Sequence, residues 1–324
     1  MKACVDIGGT KVAVTLAHAS VDSADALLRV TRCVEPTAMT GDADALAQQV
    51  LRLMGVALAK AGQHGLGAPG LADITAVGIS ACGPFVMNQG MIELAAPNLC
   101  GGLAGPARGL PNTWRSAPLE APLRQYLPGA SLRVENDGVA ALEAERIWGA
   151  LKGYSHCAYL TWSTGIGVGL CVDGYILRGK NGNAGHAGHM FVCDDDGQAL
   201  CGCGNVGDVE ALASGNAMER RWGVDAQTLL GQATQGDDCA LAKVDALCRV
   251  LGRTLYNLIA TLDLQAISLG GSVFLHHQAL LLPRLRAQVY GKLGALTDDV
   301  LICPAGLGAD VGDYAALALV GNAV

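Results

Sequence analysis

The residue with the clearest catalytic potential is a carboxylate between a predicted strand and a predicted helix. Asp137 follows Leu132–Glu135, which is typical of a short strand, and it precedes a stretch with helical spacing. The start of a helix exposes unpaired N–H groups and carries partial positive charge, so a carboxylate there can simply cap the helix. The alternative is a general base that accepts a hydroxyl proton. Taken alone the junction favours the cap, and the choice depends on the other motifs.

A glycine turn near the N-terminus has the groups of a phosphate cradle. Gly8-Gly9-Thr10 lies between two apolar segments, residues 3–7 and 12–17, that alternate like strands. Glycines let the backbone approach a ligand closely, and Thr10 adds a hydroxyl and an exposed N–H group. Asp6 could hold Mg²⁺ through water, because this ion keeps several waters and takes few carboxylates. A plain hairpin turn is the other interpretation of this motif.

A second glycine turn repeats this layout further along the chain. Ser163–Gly169 follows a predicted strand, His156–Trp162, and leads into another, Leu170–Val172, which reaches the favoured hairpin pair Asp173-Gly174. The turn is not a dinucleotide fingerprint, because the last glycine is missing and a strand follows instead of a helix. No P-loop motif occurs in the sequence. Two glycine hairpins that face one another could clamp the phosphates of one nucleotide.

The densest polar segments are 182–189 and 201–210. A histidine, two cysteines and an aspartate there have chemistry suited to a tetrahedral zinc site, with the aspartate as an oxygen ligand. A lone Cys-x-Cys pair is a weak zinc motif, so a polar loop without metal stays an open alternative. Zinc would be structural and would fix the loop that carries His186 and Glu210. The candidate ligands are His189, Cys201, Cys203 and Asp208.

The composition indicates a globular protein and argues against several classes. Hydrophobic residues make up 51% of the 324 residues, enough for a sizeable core. A net charge of −7 with 4% aromatic residues disfavours binding to nucleic acid. No apolar run reaches the length of about 18 residues needed to span a bilayer, and the N-terminus lacks the pattern of a signal peptide. We therefore expect a cytoplasmic protein without membrane contact, whose cysteines are reduced thiols.

The remaining segments alternate between strand and helix patterns. A third strand is predicted at 27–34, and apolar residues recur at helical spacing over 42–61 and 238–262. Further elements are expected in the C-terminal part: a strand at 266–269, a helix at 278–293, a strand at 300–303 and a helix at 312–320. The turn Gly270-Gly271-Ser272 follows the strand at 266–269, and its backbone could lie against a flat ring.

Together the motifs resemble those of the ROK family of sugar kinases, within the actin-like ATPase superfamily of hexokinase, heat-shock 70 and actin. Each motif is weak singly, but the set is specific and runs over nearly the whole chain. The matching segments are DIGGTK at 6–11, ENDG at 135–138, STGIGVG at 163–169, the Gly-x-x-Gly-x-x-Gly-His segment at 182–189 and the Cys-x-Cys segment at 201–210.

The resemblance implies an α/β fold with two actin-like (ribonuclease H-like) lobes. Each lobe would have a five-stranded mixed sheet flanked by helices, and the active site would lie in the cleft between the lobes. We expect a small lobe of residues 1–136 plus 309–324 and a large lobe of residues 137–308. Binding of sugar and ATP and assembly as a homodimer are also implied by the resemblance alone.

The resemblance also implies an activity and the residues that perform it. ATP, with Mg²⁺, would phosphorylate a hexose at its C6 hydroxyl, as in a glucokinase or broad-specificity hexokinase, with Asp137 as the general base. Structural Zn²⁺ is a further implied cofactor. The positions that match sugar-binding residues are Asn98, Asn136, Asp137, His186, His189 and Glu210. The positions that match ATP-binding residues are Asp6, Gly8, Gly9, Thr10, Lys11, Thr164, Gly165, Gly270, Gly271 and Ser272.

Two departures from the family pattern affect these expectations. His186 stands where the family usually has a glutamate, which resembles the bacterial N-acetylmannosamine kinases, whereas the ENDG motif resembles the glucokinases. A histidine can donate as well as accept, so selectivity at C2 of the sugar is open, and N-acetylmannosamine is the alternative substrate. Asp208 replaces the third zinc cysteine, so zinc could be bound through the carboxylate, bound weakly or absent.

Two other functions are disfavoured by the sequence. ROK proteins include sugar-responsive repressors, but those carry a DNA-binding segment before the first phosphate motif, which here starts at Asp6. An ATPase like heat-shock 70 or a filament protein would not explain the polar segments at 182–189 and 201–210. The sequence therefore predicts an enzyme.

Overall fold

The chain forms two compact units. The computed structural model describes residues 1–17, 29–63, 68–105, 108–193 and 197–321. The units are not continuous in sequence. The first comprises Met1–Ala144, Arg178–Asn183 and Asp310–Val324, and the second comprises Glu145–Leu177 and Ala184–Ala309. The compact units thus keep residues 137–144 with the N-terminal part, whereas we predicted a boundary after residue 136, and the division into functional lobes stays a prediction.

The described residues form strands and helices that alternate along most of the chain. The strands are β1 Lys2–Ile7, β2 Lys11–Ala17, β3 Arg29–Pro36, β4 Ala76–Ala81, β5 Phe85–Asn88, β6 Met91–Leu94, β7 Ala117–Pro118, β8 Ser131–Asn136, β9 Cys157–Trp162, β10 Ile166–Val172, β11 Tyr175–Ile176, β12 Ala266–Gly270 and β13 Leu301–Pro304. The helices are α1 Ala45–Gln63, α2 Glu120–Tyr126, α3 Asp137–Trp148, α4 Val209–Ala213, α5 Gly215–Trp222, α6 Ala226–Thr234, α7 Asp238–Leu262, α8 Ser272–His276, α9 Gln278–Val289, α10 Gly294–Thr297 and α11 Val311–Ala318.

The first unit is built on a five-stranded mixed sheet in the order β3-β2-β1-β4-β8. The N-terminal strands pair antiparallel, whereas β1, β4 and β8 run parallel. Val5 and Ile7 are buried in one core with Leu53 of α1. The helix α11 packs so closely on β4 that a side chain at Gly78 would lie 2.3 Å from the carbonyl oxygen of Ala316. The carboxyl ends of the parallel strands lie at the same edge of this sheet. Two candidate residues, Asp6 and Asp137, lie at that edge.

The second unit has the same architecture in a different part of the chain. Its five-stranded mixed sheet has the order β11-β10-β9-β12-β13. The long helix α7 buries an apolar stripe that includes Leu251 and Leu255 in one core with Trp162 of β9. The indole N–H of Trp162 donates to the carbonyl oxygen of Ala213 (2.8 Å), so even the end of the strand is fixed by a buried hydrogen bond.

The predicted α/β fold class, with a five-stranded mixed sheet in each unit, is confirmed. The helix α7 has the predicted limits, and the pair Asp173-Gly174 makes the predicted hairpin turn with positive φ at both residues. Of the predicted third strand, residues 27 and 28 lie outside the described residues. Among the helices of the described ranges, none combines the length and apolar character that a bilayer crossing requires.

Several predicted limits are wrong, for identifiable reasons. The strand β10 begins at Ile166 rather than Leu170, because Ile166, Val168 and Leu170 are buried while the glycines between them keep the register with β9. The helix α9 ends at Val289 rather than residue 293, since Gly291 adopts a positive φ of 79°. The structure also contains a small sheet of β5, β6 and β7 and the helices α4 to α6, none of which was predicted.

Candidate active site

Asp137 occupies the junction that the sequence predicted. The strand β8 ends at Asn136, and α3 begins at Asp137 itself. The N–H group of Gly138 donates to Asn136 Oδ1 (3.0 Å) and to Asp137 Oδ1 (2.8 Å). Asn136 is buried and supplies a cap of its own, whereas Asp137 is exposed. The capping role is therefore shared, and the Asp137 carboxylate remains accessible to a substrate.

Asp6 lies in the field of the Asp137 carboxylate. Burial, together with the negative charges of Asp137 and Asp313, raises the pKa of Asp6 to about 6 against the opposing effect of Lys11 and Arg32. Asp6 lies in β1, and Asp137 follows β8, so the parallel strands of the first sheet bring both carboxylates to one edge. Carboxylates gathered at one sheet edge suit a divalent cation held through water.

The first glycine turn is a tight hairpin in which the carbonyl groups of Gly8 and Thr10 accept hydrogen bonds. The N–H group of Gly8 donates to the carbonyl oxygen of Lys11 (2.9 Å). The hydroxyl of Thr37 donates to the carbonyl oxygen of Gly8 (2.7 Å), and the N–H group of Thr37 donates to that of Thr10 (3.2 Å). Thr10 and Lys11 are exposed. The groups that this turn can still offer an anion are therefore amides, a hydroxyl and an ammonium group.

Asn98 packs directly on this turn. A side chain at Gly9 would lie 2.8 Å from Asn98 Nδ2. Asn98 Oδ1 accepts a weak hydrogen bond from the thiol of Cys82 (3.6 Å). Only glycine at residue 9 therefore lets the amide of Asn98 lie against the turn. A predicted sugar-binding residue and a predicted ATP-binding residue thus meet within the first unit.

The second glycine turn is tied to the start of α5. The N–H group of Ser163 donates to the carbonyl oxygen of Gly165 (3.0 Å), which closes the turn. The N–H groups of Gly215 and Asn216 donate to the carbonyl oxygens of Ser163 (2.8 Å) and Thr164 (3.3 Å). The carbonyl groups of Ser163, Thr164 and Gly165 are thus all engaged in hydrogen bonds. A turn binds phosphate through its N–H groups, so engaged carbonyl groups suit that role.

The turn at Gly270-Gly271-Ser272 lies against the end of β9. Gly271 adopts a φ of 85°, and a side chain there would lie 2.4 Å from the carbonyl oxygen of Trp162. A side chain at Gly270 would lie 2.4 Å from the hydroxyl of Tyr159. Both glycines are therefore required for close packing between β12 and β9. Their predicted contact with the adenosine part of ATP stays a prediction.

The predicted sugar segment of the second unit packs on β10. A side chain at Gly185 would lie 2.1 Å from the carbonyl oxygen of Val168, and one at Gly188 would lie 2.3 Å from that of Ile166. Val168 also donates its N–H group to the carbonyl oxygen of Gly185 (3.2 Å). The rings of His186 and His189 stack with centroids 6.2 Å apart. The glycines thus fix the two histidines relative to the second glycine hairpin.

Four side chains of the second unit form a cluster with the dimensions of a metal site. The ligand atoms of His189, Cys201, Cys203 and Asp208 all lie within 4.8 Å of one another. His189 Nδ1 is 2.9 Å from Asp208 Oδ2, 3.9 Å from the sulfur of Cys201 and 3.8 Å from that of Cys203. Tetrahedral zinc with bonds of about 2.0–2.3 Å places its ligand atoms about 3.3–3.8 Å apart. The donor set therefore suits zinc. The two His189–sulfur distances lie near the upper end of that range, whereas the distance between His189 and Asp208 is that of a hydrogen bond.

Asp208 has a second contact that the sequence did not reveal. Its Oδ1 atom accepts from the N–H group of Ala211 (2.7 Å) and caps α4, while Oδ2 faces His189. Burial alone would raise the pKa of Asp208, but the hydrogen bonds from His189 and Ala211 outweigh it and hold the pKa below its usual range. The carboxylate is thus oriented by the helix that it caps.

A charged network beside Asp137 was also missed. Arg178 donates to Oε1 of Glu135 (2.7 Å) and of Glu143 (3.0 Å), and Arg133 binds the same two carboxylates. The network joins β8 to α3 on either side of Asp137. The sequence signal for it was the glutamate at the start of the ENDG motif, which the resemblance left without a role.

The comparisons with known proteins agree with the architecture. The sequence profile of the ROK family matches residues 2–323. The chain belongs to the ROK family. An N-acetylmannosamine kinase of Salmonella newport (strain SL254) is 33% identical over 279 residues, which cover 83% of this chain and 82% of that protein.

Two solved ROK structures match the chain over almost its whole length. The ROK hexokinase from Thermus thermophilus is 30% identical, with a TM-score of 0.71, and the match covers 98% of this chain and 97% of that one. The ROK glucokinase from Streptomyces griseus, in complex with glucose and AMPPNP, is 26% identical, with a TM-score of 0.68 and coverage of 97% of both chains. The relatives of this ROK protein are therefore sugar kinases of more than one specificity.

Proposed function

We propose that this ROK protein transfers the γ-phosphoryl group of ATP to the C6 hydroxyl of a hexose. The observation that carries the proposal is the exposed carboxylate of Asp137 at the start of α3, close enough to Asp6 for its charge to raise the pKa of that residue. One carboxylate accepts the proton of the attacking hydroxyl, and the other serves the metal that accompanies ATP. Positioning and electrostatic stabilisation supply most of the remaining rate enhancement in phosphoryl transfer.

Each glycine turn has a part in the proposal. The amide side of the turn at Gly8-Gly9-Thr10 and that of the turn at Thr164-Gly165 bind phosphate oxygens, because their carbonyl groups are engaged elsewhere. Asp6 would hold a hydrated Mg²⁺ ion, which would supply positive charge to the phosphates of the bound nucleotide. Lys11, exposed beside the first turn, adds a positive charge. The turn that begins at Gly270 contacts the adenosine part.

The proposed sugar contacts consist of side chains that donate and accept hydrogen bonds. Selective binding of a sugar with many hydroxyls requires such a set, since an unmatched polar group is penalised. Zinc would be held by the cluster of the second unit and would fix the segment before α4. Elemental analysis of the purified protein tests the proposed zinc binding. Less than a tenth of an equivalent of zinc per chain would rule it out. The proposed sugar-binding residues are Asn98, Asn136, Asp137, His186, His189 and Glu210.

The first prediction concerns the base. Asp137→Asn should lower kcat by about 10²- to 10⁴-fold, because the amide keeps the size of the side chain and cannot accept the proton. A coupled assay of ADP release measures the loss, and thermal unfolding checks the fold. Asp44→Asn, at an exposed position of the same unit, is the matched control and should retain full activity. Full activity of the Asp137 variant would show that Asp137 is not the general base.

N-acetylmannosamine is a second candidate substrate, supported by its own observations. The curated relative at 33% identity is an N-acetylmannosamine kinase, and His186 replaces the usual glutamate of the family. An imidazole can donate to an acetamido oxygen, which a carboxylate cannot do. ADP release with glucose, mannose, fructose, glucosamine, N-acetylglucosamine and N-acetylmannosamine separates the candidates. Turnover of N-acetylmannosamine alone would show that it is the substrate and that the unmodified hexoses are not.

A further inference from the structure

Glu210 makes a contact that a sugar-binding role does not require. Its Oε2 atom accepts a hydrogen bond from the N–H group of Ile166 (3.1 Å), the first residue of β10 after the second glycine turn. A side chain at Gly165 would lie 2.7 Å from the same oxygen, and the next atoms it would meet belong to the same carboxylate. Glycine at residue 165 is therefore the condition for this carboxylate to lie against the turn.

The other carboxylate oxygen faces a different group. Glu210 Oε1 lies 3.7 Å from the sulfur of Cys201. Glu210 itself is held in the first turn of α4, which Asp208 caps. The two oxygens thus have separate surroundings, one against the backbone of the glycine hairpin and one on the side of the polar cluster.

We propose that Glu210 is a positioning residue for the phosphate-binding turn at Ser163–Gly165 as well as a sugar ligand. The amide of Ile166 follows this turn directly, so a fixed acceptor for it restricts the backbone that presents the turn's other N–H groups. A hydrogen bond to a charged acceptor is stronger than a neutral one. Loss of the carboxylate therefore loosens the turn before any sugar is bound. The inference rests on the proposed nucleotide site and deepens it.

The test is nucleotide binding without sugar. Isothermal titration calorimetry with Mg²⁺ and a non-hydrolysable ATP analogue should show Glu210→Ala binding about five- to tenfold more weakly than the wild-type protein, in line with loss of one charge-assisted hydrogen bond. Glu210→Gln should bind within about twofold of wild type, because its amide oxygen can still accept from Ile166. Both variants should bind sugar more weakly, since each loses the acceptor-only carboxylate.

The controls separate the possible failures. Glu219→Ala removes an exposed carboxylate from α5 and should leave analogue binding unchanged. Thermal unfolding establishes that both Glu210 variants are folded. Equal analogue binding by wild type, Glu210→Ala and Glu210→Gln would overturn the positioning role and leave the kinase proposal intact. Failure of the wild-type protein to bind the analogue would overturn the proposed function itself.

Discussion

The two glycine hairpins have the same layout but are held in different ways. At the first, Asp6 lies in the strand that leads into the turn, and the turn is braced by Thr37 from the end of β3. At the second, the strand before the turn contributes an aromatic residue, Trp162, and the carboxylate comes from Glu210 on α4. The acidic residue of the first hairpin thus lies next to the turn in sequence, whereas that of the second hairpin comes from a distant segment.

The difference concerns what each carboxylate does. Asp6 is buried and lies near other carboxylates, so its ionised form is disfavoured and its pKa is raised. Glu210 accepts a hydrogen bond from a backbone N–H group, so its role in the second hairpin is to orient the chain. We propose that the first hairpin makes a cation-dependent phosphate contact and that the second makes a rigid one. The following predictions test that division.

The largest expected effect is at the first hairpin. Asp6→Asn should lower kcat/KM for Mg-ATP by about 10²-fold or more, because the amide cannot hold the hydrated cation as a carboxylate does. Raising Mg²⁺ should restore little of the loss. Initial rates over a series of Mg²⁺ concentrations measure the effect, with Asp44→Asn as the control. An Asp6→Asn enzyme with wild-type dependence on Mg²⁺ would contradict the cation-dependent role.

An intermediate effect is expected from adding one methyl group to each turn. Gly9→Ala and Gly165→Ala place a carbon within 2.8 Å of Asn98 Nδ2 and 2.7 Å of Glu210 Oε2, respectively. Each should raise the KM for ATP about tenfold through displacement of the packed side chain. Gly55→Ala, which meets no atom within 4 Å in α1, should leave the kinetics unchanged. If Gly165→Ala behaves like Gly55→Ala, the second hairpin is not rigid in the sense proposed.

The smallest effect is on stability and depends on pH. The pKa of Asp6 is about 6 in the folded state against an ordinary value of 3.8, so its ionised form opposes folding above pH 6. Asp6→Asn should therefore unfold at a slightly higher temperature than wild type at pH 8. The difference should shrink as pH falls from about 6 towards 3.8, where the wild-type carboxyl becomes protonated in both states. Differential scanning calorimetry without Mg²⁺ measures it, and a difference that grows on acidification would show that the sign is wrong.

The sequence predicted the elements that carry local signals. Hairpin turns and the stripe of α7 follow from residue types and spacing, and these placed Asp137 and the first glycine turn correctly in the chain. The second glycine turn was located, but its predicted end at Gly169 is wrong because β10 begins at Ile166. Contacts between distant segments were not predictable in this way. The bond from Ile166 to Glu210 spans 44 residues. The bonds from Arg178 to Glu135 and Glu143 span 43 and 35 residues within the first unit. Such pairs depend on packing, which leaves no periodic pattern.

The cap that Asp208 provides for α4 affects what happens to this segment when no metal is bound. Because one oxygen of its carboxylate caps α4, the start of that helix is defined by a hydrogen bond within the chain as well as by any ion. A thiol at this position could ligate zinc but would be a poor cap, since caps require a good oxygen acceptor. The aspartate therefore defines the start of the segment that carries Glu210 by a bond that requires no ion. We expect α4 to stay in place when metal is withheld from the growing cell.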